Sequence, residues 1–239
     1  MAEQRLQKIL AAAGIASRRK CEQMILDGQV RVNRKLVDTL PAFADPHKDI
    51  ITANGRKIRI EPKVYFLLNK PKGVICTSSD PQGRKKAIDL VNTPFRIFCV
   101  GRLDVDSSGL IVLTNDSELA NKLTHPRYEL PKTCEVEVKG PLNPEAVEKL
   151  KKGVWLAEKR TAKISVKVLR KGQKFSKLQI TIREGLNRQV RRMLARVDLP
   201  VKSLKRSKVG RLELRGVGIG KSRPLTKAEL AYLKKITAK

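Results

Sequence analysis

The sequence predicts an α+β protein in two parts: a small αβ module over residues 1–61, then a larger domain over 64–239 with a mixed, mainly antiparallel sheet flanked by helices. Three observations predict it. Apolar residues recur at helical spacing near the start, they alternate with polar ones through much of the rest of the chain, and Glu61-Pro62-Lys63 forms a polar, proline-bearing break that reads as a linker. A chain of 239 residues is long enough for a small domain beside a medium one, each with its own core.

Residues 5–28 read as two short helices. Leu6, Ile9 and Leu10 mark the first, which stops at Gly14; Ser17 caps the second, whose apolar side carries Cys21, Met24 and Ile25 up to Gly28. "QVRVNRKLV" then alternates around a tight turn, and Asn54-Gly55 in "DIITANGRKIRI" is a hairpin signal. From Val64 the pattern is strand-like: "VYFLLNK", "GVICT" after a Pro-Lys-Gly turn, "FRIFCVGRL" and "GLIVLT". A helix is expected from Asn115 through Leu123, "CEVEVKG" alternates again, and "NPEAVEKLKKGV" is a helix with Pro144 in its first turn. "AKISVKVLRK" and "SKLQITIREG" form a hairpin pair, a helix covers Asn187 to Val197, and "TKAELAYLKK" opens with a capping box of Thr226 and Glu229.

Lys and Arg total 52 against 23 Asp and Glu, a formal charge of +29. Such an excess repels itself unless a polyanion is the usual partner, which puts nucleic acid first and an anionic membrane surface second. Aromatic residues make up only 4% of the chain, so a broad base-stacking platform is not expected; a folded RNA recognised by shape, with one nucleotide splayed out, fits better. Cys21, Cys76, Cys99 and Cys134 lie far apart, and His47 and His125 are the only histidines, so neither a zinc site nor a disulfide framework is expected. With no signal-peptide pattern at its start and no apolar run long enough for a bilayer, the chain is expected to be cytoplasmic, monomeric and free of membranes.

The stretch "GRLDVDSSGLIVLTND", residues 101–116, sets two aspartates, two serines and a glycine between apolar runs. Asp104, Asp106, Ser108 and Gly109 fall on positions 1, 3, 5 and 6 of a calcium loop. Position 12, however, is Asn115 where a bidentate glutamate belongs, the flanks are strand-like and the surroundings cationic, so no metal is expected. A plain hairpin turn, with Gly109 at positive φ, explains the backbone but not Arg102, which would share Asp104's side of an extended strand. The third reading is a carboxylate at a strand end, held ionised by a cation and used as a nucleophile, chemistry that carboxylates perform at glycosidic carbons.

A helical wheel over 187–197 places Val190, Met193, Leu194 and Val197 on one core-facing stripe. Arg188 and Arg192 point away from it, towards solvent or RNA phosphate, and Arg191 lies on the shoulder, about 100° from the stripe. Arg5, Lys8, Arg18, Arg19, Lys20 and Arg31 are the phosphate-binding candidates of the first module.

The 101–116 stretch also resembles the catalytic motif of pseudouridine synthases of the RsuA type. "FLLNKPKGVICT", "HPRYELPKTCEVEV", "EGLNRQVRRML" and "SRPLTKAEL" follow in the family's order, and residues 1–61 resemble an RNA-binding module of the ribosomal-protein-S-four kind, so the resemblance spans essentially the whole chain. It implies that Asp104 is the nucleophile, that Arg191 pairs with it, with Arg102 a second candidate cation, and that the target uridine is flipped out of ribosomal RNA or a ribosome-assembly intermediate. The large-subunit RNA is favoured over the small because "EGLNRQVRRM" is closest to that branch. The implied reaction is redox-neutral and consumes no nucleotide, so no cofactor is expected; attack on the sugar and attack on the base ring both stay open. One position departs from the family: its Lys-Thr-Tyr is here Lys132-Thr133-Cys134, and a thiol offers neither a ring face nor a phenolic oxygen. That departure keeps a second reading alive, a non-catalytic ribosomal-RNA-binding or assembly factor derived from such an enzyme.

Overall fold

The computed structural model describes residues 3–236, which form two compact units: one holds the chain through Val64 together with 93–96 and 115–117, the other holds the remainder. In the first, β1 (Gln4–Arg5) leads into α1 (Leu6–Ala12), and α2 (Arg18–Leu26) comes next. The Ser17 hydroxyl accepts the Lys20 amide at 3.3 Å, the expected cap. Then come β2 (Val30–Val32), β3 (Lys35–Val37), β4 (Phe43–Ala44), β5 (Ile51–Ala53) and β6 (Arg56–Lys57). β4 pairs with β1, and the rest form an antiparallel sheet in the order β3-β2-β5-β6. Both hairpins turn on two residues of positive φ, Asn33-Arg34 and Asn54-Gly55, which gives the twist that two-residue turns require. Leu6, Ile9, Leu10, Cys21, Met24 and Ile25 pack against Val30 and Ile51 as the core.

The second unit contains β7 (Tyr65–Lys70), β8 (Phe98–Cys99), β9 (Ser108–Thr114), α3 (Ser117–Thr124), β10 (Lys132–Lys139), α4 (Pro144–Lys152), β11 (Ser165–Arg170), β12 (Phe175–Ile182), α5 (Gln189–Ala195), β13 (Val201–Val209), β14 (Leu212–Glu213), β15 (Ser222–Pro224) and α6 (Lys227–Ile236). Its strands form one sheet in the order β11-β12-β10-β13-β9-β7-β15, with β8 on β9 and β14 on β13. The parallel strand pair is β9 with β13, where Ser108 faces Lys205 and Gly109 faces Arg206; the other strand pairings described are antiparallel. Gly109 has φ +112°, and a Cβ there would lie 2.2 Å from the Arg206 carbonyl oxygen. Glycine is therefore needed for close approach of two strands, not for the hairpin turn expected from the sequence.

The predicted α5 stripe, Val190, Met193, Leu194 and Val197, is buried against Val136, Val138, Leu178 and Ile180 of the sheet, with Leu150 of α4 beside it. A second cluster joins Leu67, Leu110 and Val112 to Leu119 and Leu123 of α3 and Leu233 of α6. Asn143 caps α4 through the Glu145 amide, and Thr226 and Glu229 exchange the two hydrogen bonds of the expected capping box. "GVICT" makes only an isolated bridge, Ile75 with Lys86, and of "FRIFCVGRL" only Phe98–Cys99 pairs. The sequence pattern does not predict β13: its inward residues, Leu204 and Arg206, alternate with lysines, and the density of positive charge hides the period of two.

Candidate active site

Asp104 lies on the loop between β8 and β9. The Ser107 amide donates to the Asp104 carbonyl at 3.0 Å, closing a tight turn over Val105 and Asp106, and the Gly73 amide donates to the Val105 carbonyl at 2.8 Å, tying that turn to the segment after β7. The Leu103 amide donates to Cys76 Sγ at 3.4 Å. The turn that mounts the carboxylate is thus 104–107, and Ser108 and Gly109, expected in a hairpin turn, already pair with β13. Arg102 lies outside any strand, so the same-side argument for it fails; its side chain is exposed, its carbonyl accepts from Arg206 Nη1 at 3.5 Å, and Asp104's ion-pair partner is another arginine.

That partner is Arg188. It adopts a left-handed backbone (φ 47°) just before α5, so the helical wheel does not extend to it. The buried Gln189 side chain fixes this entry, accepting the Leu186 amide at 3.1 Å and donating to Glu184 at 3.1 Å. Arg188 is thereby turned into the site: Nη1 and Nη2 donate to the two Asp106 carboxylate oxygens at 3.2 and 3.1 Å, and Nη1 stands 3.5 Å from Asp104 Oδ2. Arg191, implied as the partner of Asp104, instead holds the turn itself, donating to the Asp106 carbonyl at 3.0 Å and Ser107 Oγ at 3.3 Å, with Asp106 Oδ2 at 3.2 Å. Burial alone would raise the Asp106 carboxyl, but the Arg188 hydrogen bonds and the charges of Arg191 and Arg188 hold it below the usual carboxylate range.

Asp104, with its side chain 30% exposed, stands at a cavity of about 580 Å³ also lined by Lys132, Cys134, Arg191 and Arg206. Arg206 is 8% exposed; Nε donates to the Leu110 carbonyl at 2.7 Å, and among the described residues no carboxylate pairs with it. Lys70 is fully buried and donates to the Val74 and Pro71 carbonyls at 2.7 and 3.0 Å. Burial pushes the Lys70 ammonium down, and it does the same to Lys132, helped there by the Arg206 charge. The arrangement is a half-open carboxylate in front of a pocket whose lining holds two cations, buried Arg206 and half-buried Lys132, beside the buried neutral side chains of Ser107 and Gln189. It suits chemistry in which an anion develops inside.

The chain's likeness to known proteins is specific. The family model for RNA pseudouridylate synthase matches residues 64–196, and that for the S4 domain matches 4–40. The chain belongs to the RNA pseudouridylate synthase family. It is 47% identical over 234 residues to ribosomal large subunit pseudouridine synthase B of Bacillus subtilis, covering 97% of this chain and 96% of that one. The protein of the same name in Pseudomonas aeruginosa is 36% identical over 239 residues, covering 96% of this chain and 61% of its own. A crystal structure of a pseudouridylate synthase matches with TM-score 0.70 and 28% identity, over 96% of this chain and 99% of that one. Pseudouridylate synthases are isomerases that act on RNA.

In this pseudouridylate synthase Cys134 is buried on β10, opposite Arg206 and Ile180, and burial pushes its thiol up to about 11, so it is neutral at physiological pH. Tyr128 does not take the missing tyrosine's place: it lies in a separate turn beneath the Arg127 guanidinium, 4.9 Å from its ring centre. The aromatic ring among the cavity's lining residues is Phe98. Arg192, expected to face solvent or RNA phosphate, is held by Glu158 through both terminal guanidinium nitrogens, and that carboxyl is pulled down to about 2. Arg5, Lys8, Arg18, Arg19, Lys20 and Arg31 are all exposed and outside any ion pair among the described residues. Sequence reasoning missed Lys70, Phe98 and Arg206. A lysine closing the apolar run "YFLLNK" and an arginine two residues from Leu204 were the available signals.

Proposed function

We propose that this enzyme converts one uridine of large-subunit ribosomal RNA to pseudouridine, with Asp104 as the nucleophile and the target base flipped into the cavity. The observation that carries the reading is the partly exposed Asp104 carboxylate at the mouth of a cavity of about 580 Å³ backed by Arg206 and Lys132. The names of the two bacterial relatives support the large subunit as the source of the substrate. Residues 1–61 hold the RNA through exposed cations, and 64–239 carry the chemistry.

The glycosidic bond between N1 and the sugar breaks, the base turns, and C5 bonds to the same sugar carbon; C5 gives up its proton and N1 gains one, so nothing is added or lost. While detached, the uracil ring carries negative charge on its oxygens and nitrogens. Arg206 and Lys132, both lining the cavity, are placed to stabilise it. Arg188 and Arg191 act on the loop: one steadies Asp104 from the solvent side, the other clamps the turn that mounts it. Phe98 provides the ring face that Cys134 lacks.

Asp104→Asn tests the reading. Pseudouridine formation in ribosomal RNA is expected to disappear while RNA affinity stays near normal, as read by chemical mapping of the RNA and by a binding titration. Retained isomerisation would remove Asp104 from the mechanism. Mapping with and without the gene names the uridine; an unchanged set of pseudouridines would favour the non-catalytic role that Cys134 keeps open.

A further inference from the structure

Away from the Asp104 cavity, the second unit carries a cleft of about 370 Å³ lined by Lys149, Lys152, Trp155, Arg160 and Arg196. Trp155 is the chain's only tryptophan and is 68% exposed. An indole is among the costliest side chains to leave in water, and its exposure here is not that of a slack loop. Trp155 bridges Arg160, the Thr161 amide donates to the Val154 carbonyl at 2.9 Å, the Val154 amide donates to Thr161 Oγ1 at 3.0 Å, and the Leu156 amide donates to the Lys159 carbonyl at 2.9 Å. Leu156 and Thr161 are buried beneath it, so the period of two that sends Leu156 inward sends Trp155 outward. Gly153, at φ +84°, lets the loop close on itself: a Cβ there would lie 2.4 Å from the Thr161 carbonyl oxygen.

Around this ring stand Lys149 and Lys152 from the end of α4, Arg160, and Arg196 just past α5. All four are exposed, and among the described residues none pairs with a carboxylate, while the nearby Glu158 and Glu184 are taken up by Arg192 and Lys159. A flat ring among unpaired cations fits one chemistry, an unpaired base stacked on the indole with its flanking phosphates on the lysines and arginines. We infer that this cleft binds a single-stranded nucleotide of the RNA substrate, outside the one that is isomerised. Arg188, at the Asp104 loop, and Arg196, at the cleft, mark the two ends of α5, about 12 Å apart along the helix axis. The stacked nucleotide therefore belongs to sequence near the target uridine, and the cleft helps to choose which uridine enters. The inference rests on RNA being the partner.

Because Trp155 is the only tryptophan, its fluorescence reports this cleft alone. The experiment titrates the full chain with a 5′-labelled oligouridylate of about ten nucleotides, reading label anisotropy for binding and indole emission for stacking. Emission is expected to fall in step with the anisotropy rise. Trp155→Ala is expected to bind about tenfold more weakly, with an unchanged melting temperature, and Trp155→Phe to recover most of the loss. Heparin, a polyanion without bases, should displace the oligonucleotide without quenching. Binding with unaltered emission and with the affinity of Trp155→Ala equal to the parent's would overturn the cleft alone, as would quenching by heparin. No anisotropy change with the oligonucleotide while ribosomal RNA still binds would likewise overturn the cleft alone, and no binding of either RNA would overturn RNA as the partner, and this inference with it.

Discussion

The two units hold positive charge in opposite ways. The first keeps Arg5, Lys8, Arg18, Arg19, Lys20 and Arg31 on its surface, outside any ion pair among the described residues, over an apolar core. The second folds Lys70 and Arg206 into its interior and ties Arg188 and Arg191 to the loop that bears Asp104. An exposed cation costs little to hold and attracts phosphate through a screened field; a buried one carries a desolvation cost of several kcal/mol. The net charge of +29 therefore points to a polyanionic partner but says nothing of chemistry. Burial and pairing separate the cations proposed to hold RNA from those proposed to act on the base.

Breaking the contrast at its buried end gives the largest effect. Among the described residues Arg206 has no carboxylate partner, so replacing it with an apolar side chain of similar length removes a desolvation cost along with the Leu110 hydrogen bond. Arg206→Met is expected to lower kcat by about a hundredfold or more, the scale of losing one preorganised charge-stabilising group, while the melting temperature holds or rises. A parallel loss of rate and stability would mark Arg206 as structural. At the exposed end the expectation reverses. Arg18→Glu with Arg19→Glu is expected to leave kcat at saturating RNA unchanged and to weaken binding. The slope of log affinity against log salt should become shallower by up to about two, near 0.9 for each phosphate that is no longer neutralised. An unchanged slope would mean that α2 does not touch the RNA backbone.

The sequence carried the first unit almost completely, because its helices and hairpins are local: Ser17 caps over three residues, and Asn54-Gly55 dictates its own turn. It singled out Asp104 through a motif, and that carboxylate stands at the cavity of the second unit. It failed where geometry is non-local. The wheel over 187–197 pointed Arg188 towards solvent or RNA phosphate, yet the left-handed backbone there, fixed by the buried Gln189, brings it to Asp104 from a distant part of the chain. Gly109 looked like a turn glycine because its real constraint, the Arg206 carbonyl, lies on a strand that pairs with it in parallel only after α3, β10, α4, β11, β12 and α5 have been laid down. Arg206 itself was hidden in a run of lysines, where composition suggests surface and only the alternation with Leu204 says otherwise.

The smallest effect lies between the two classes, at Asp106, whose side chain is 42% exposed yet pairs with both Arg188 and Arg191. Its carboxyl sits below the ordinary value in the folded protein, so between the two values the unfolded chain binds more protons than the folded one. The stabilisation is fully present above the unfolded value, near pH 4, and is lost as the pH falls through the lower folded value. Between pH 5 and 8 the contribution of Asp106 to the melting temperature is therefore expected to be constant. On the acid side, the gap between the parent and Asp106→Asn should close as the pH drops below about 4. Half-exposure and salt screening limit that gap to about 1 kcal/mol or less. Urea unfolding at steps from pH 7 to pH 3 measures it, and a gap that stays constant down to pH 3 would mean that the arginines gain nothing from Asp106 being charged. In that case Arg191 clamps the turn through the Asp106 carbonyl and Ser107 alone.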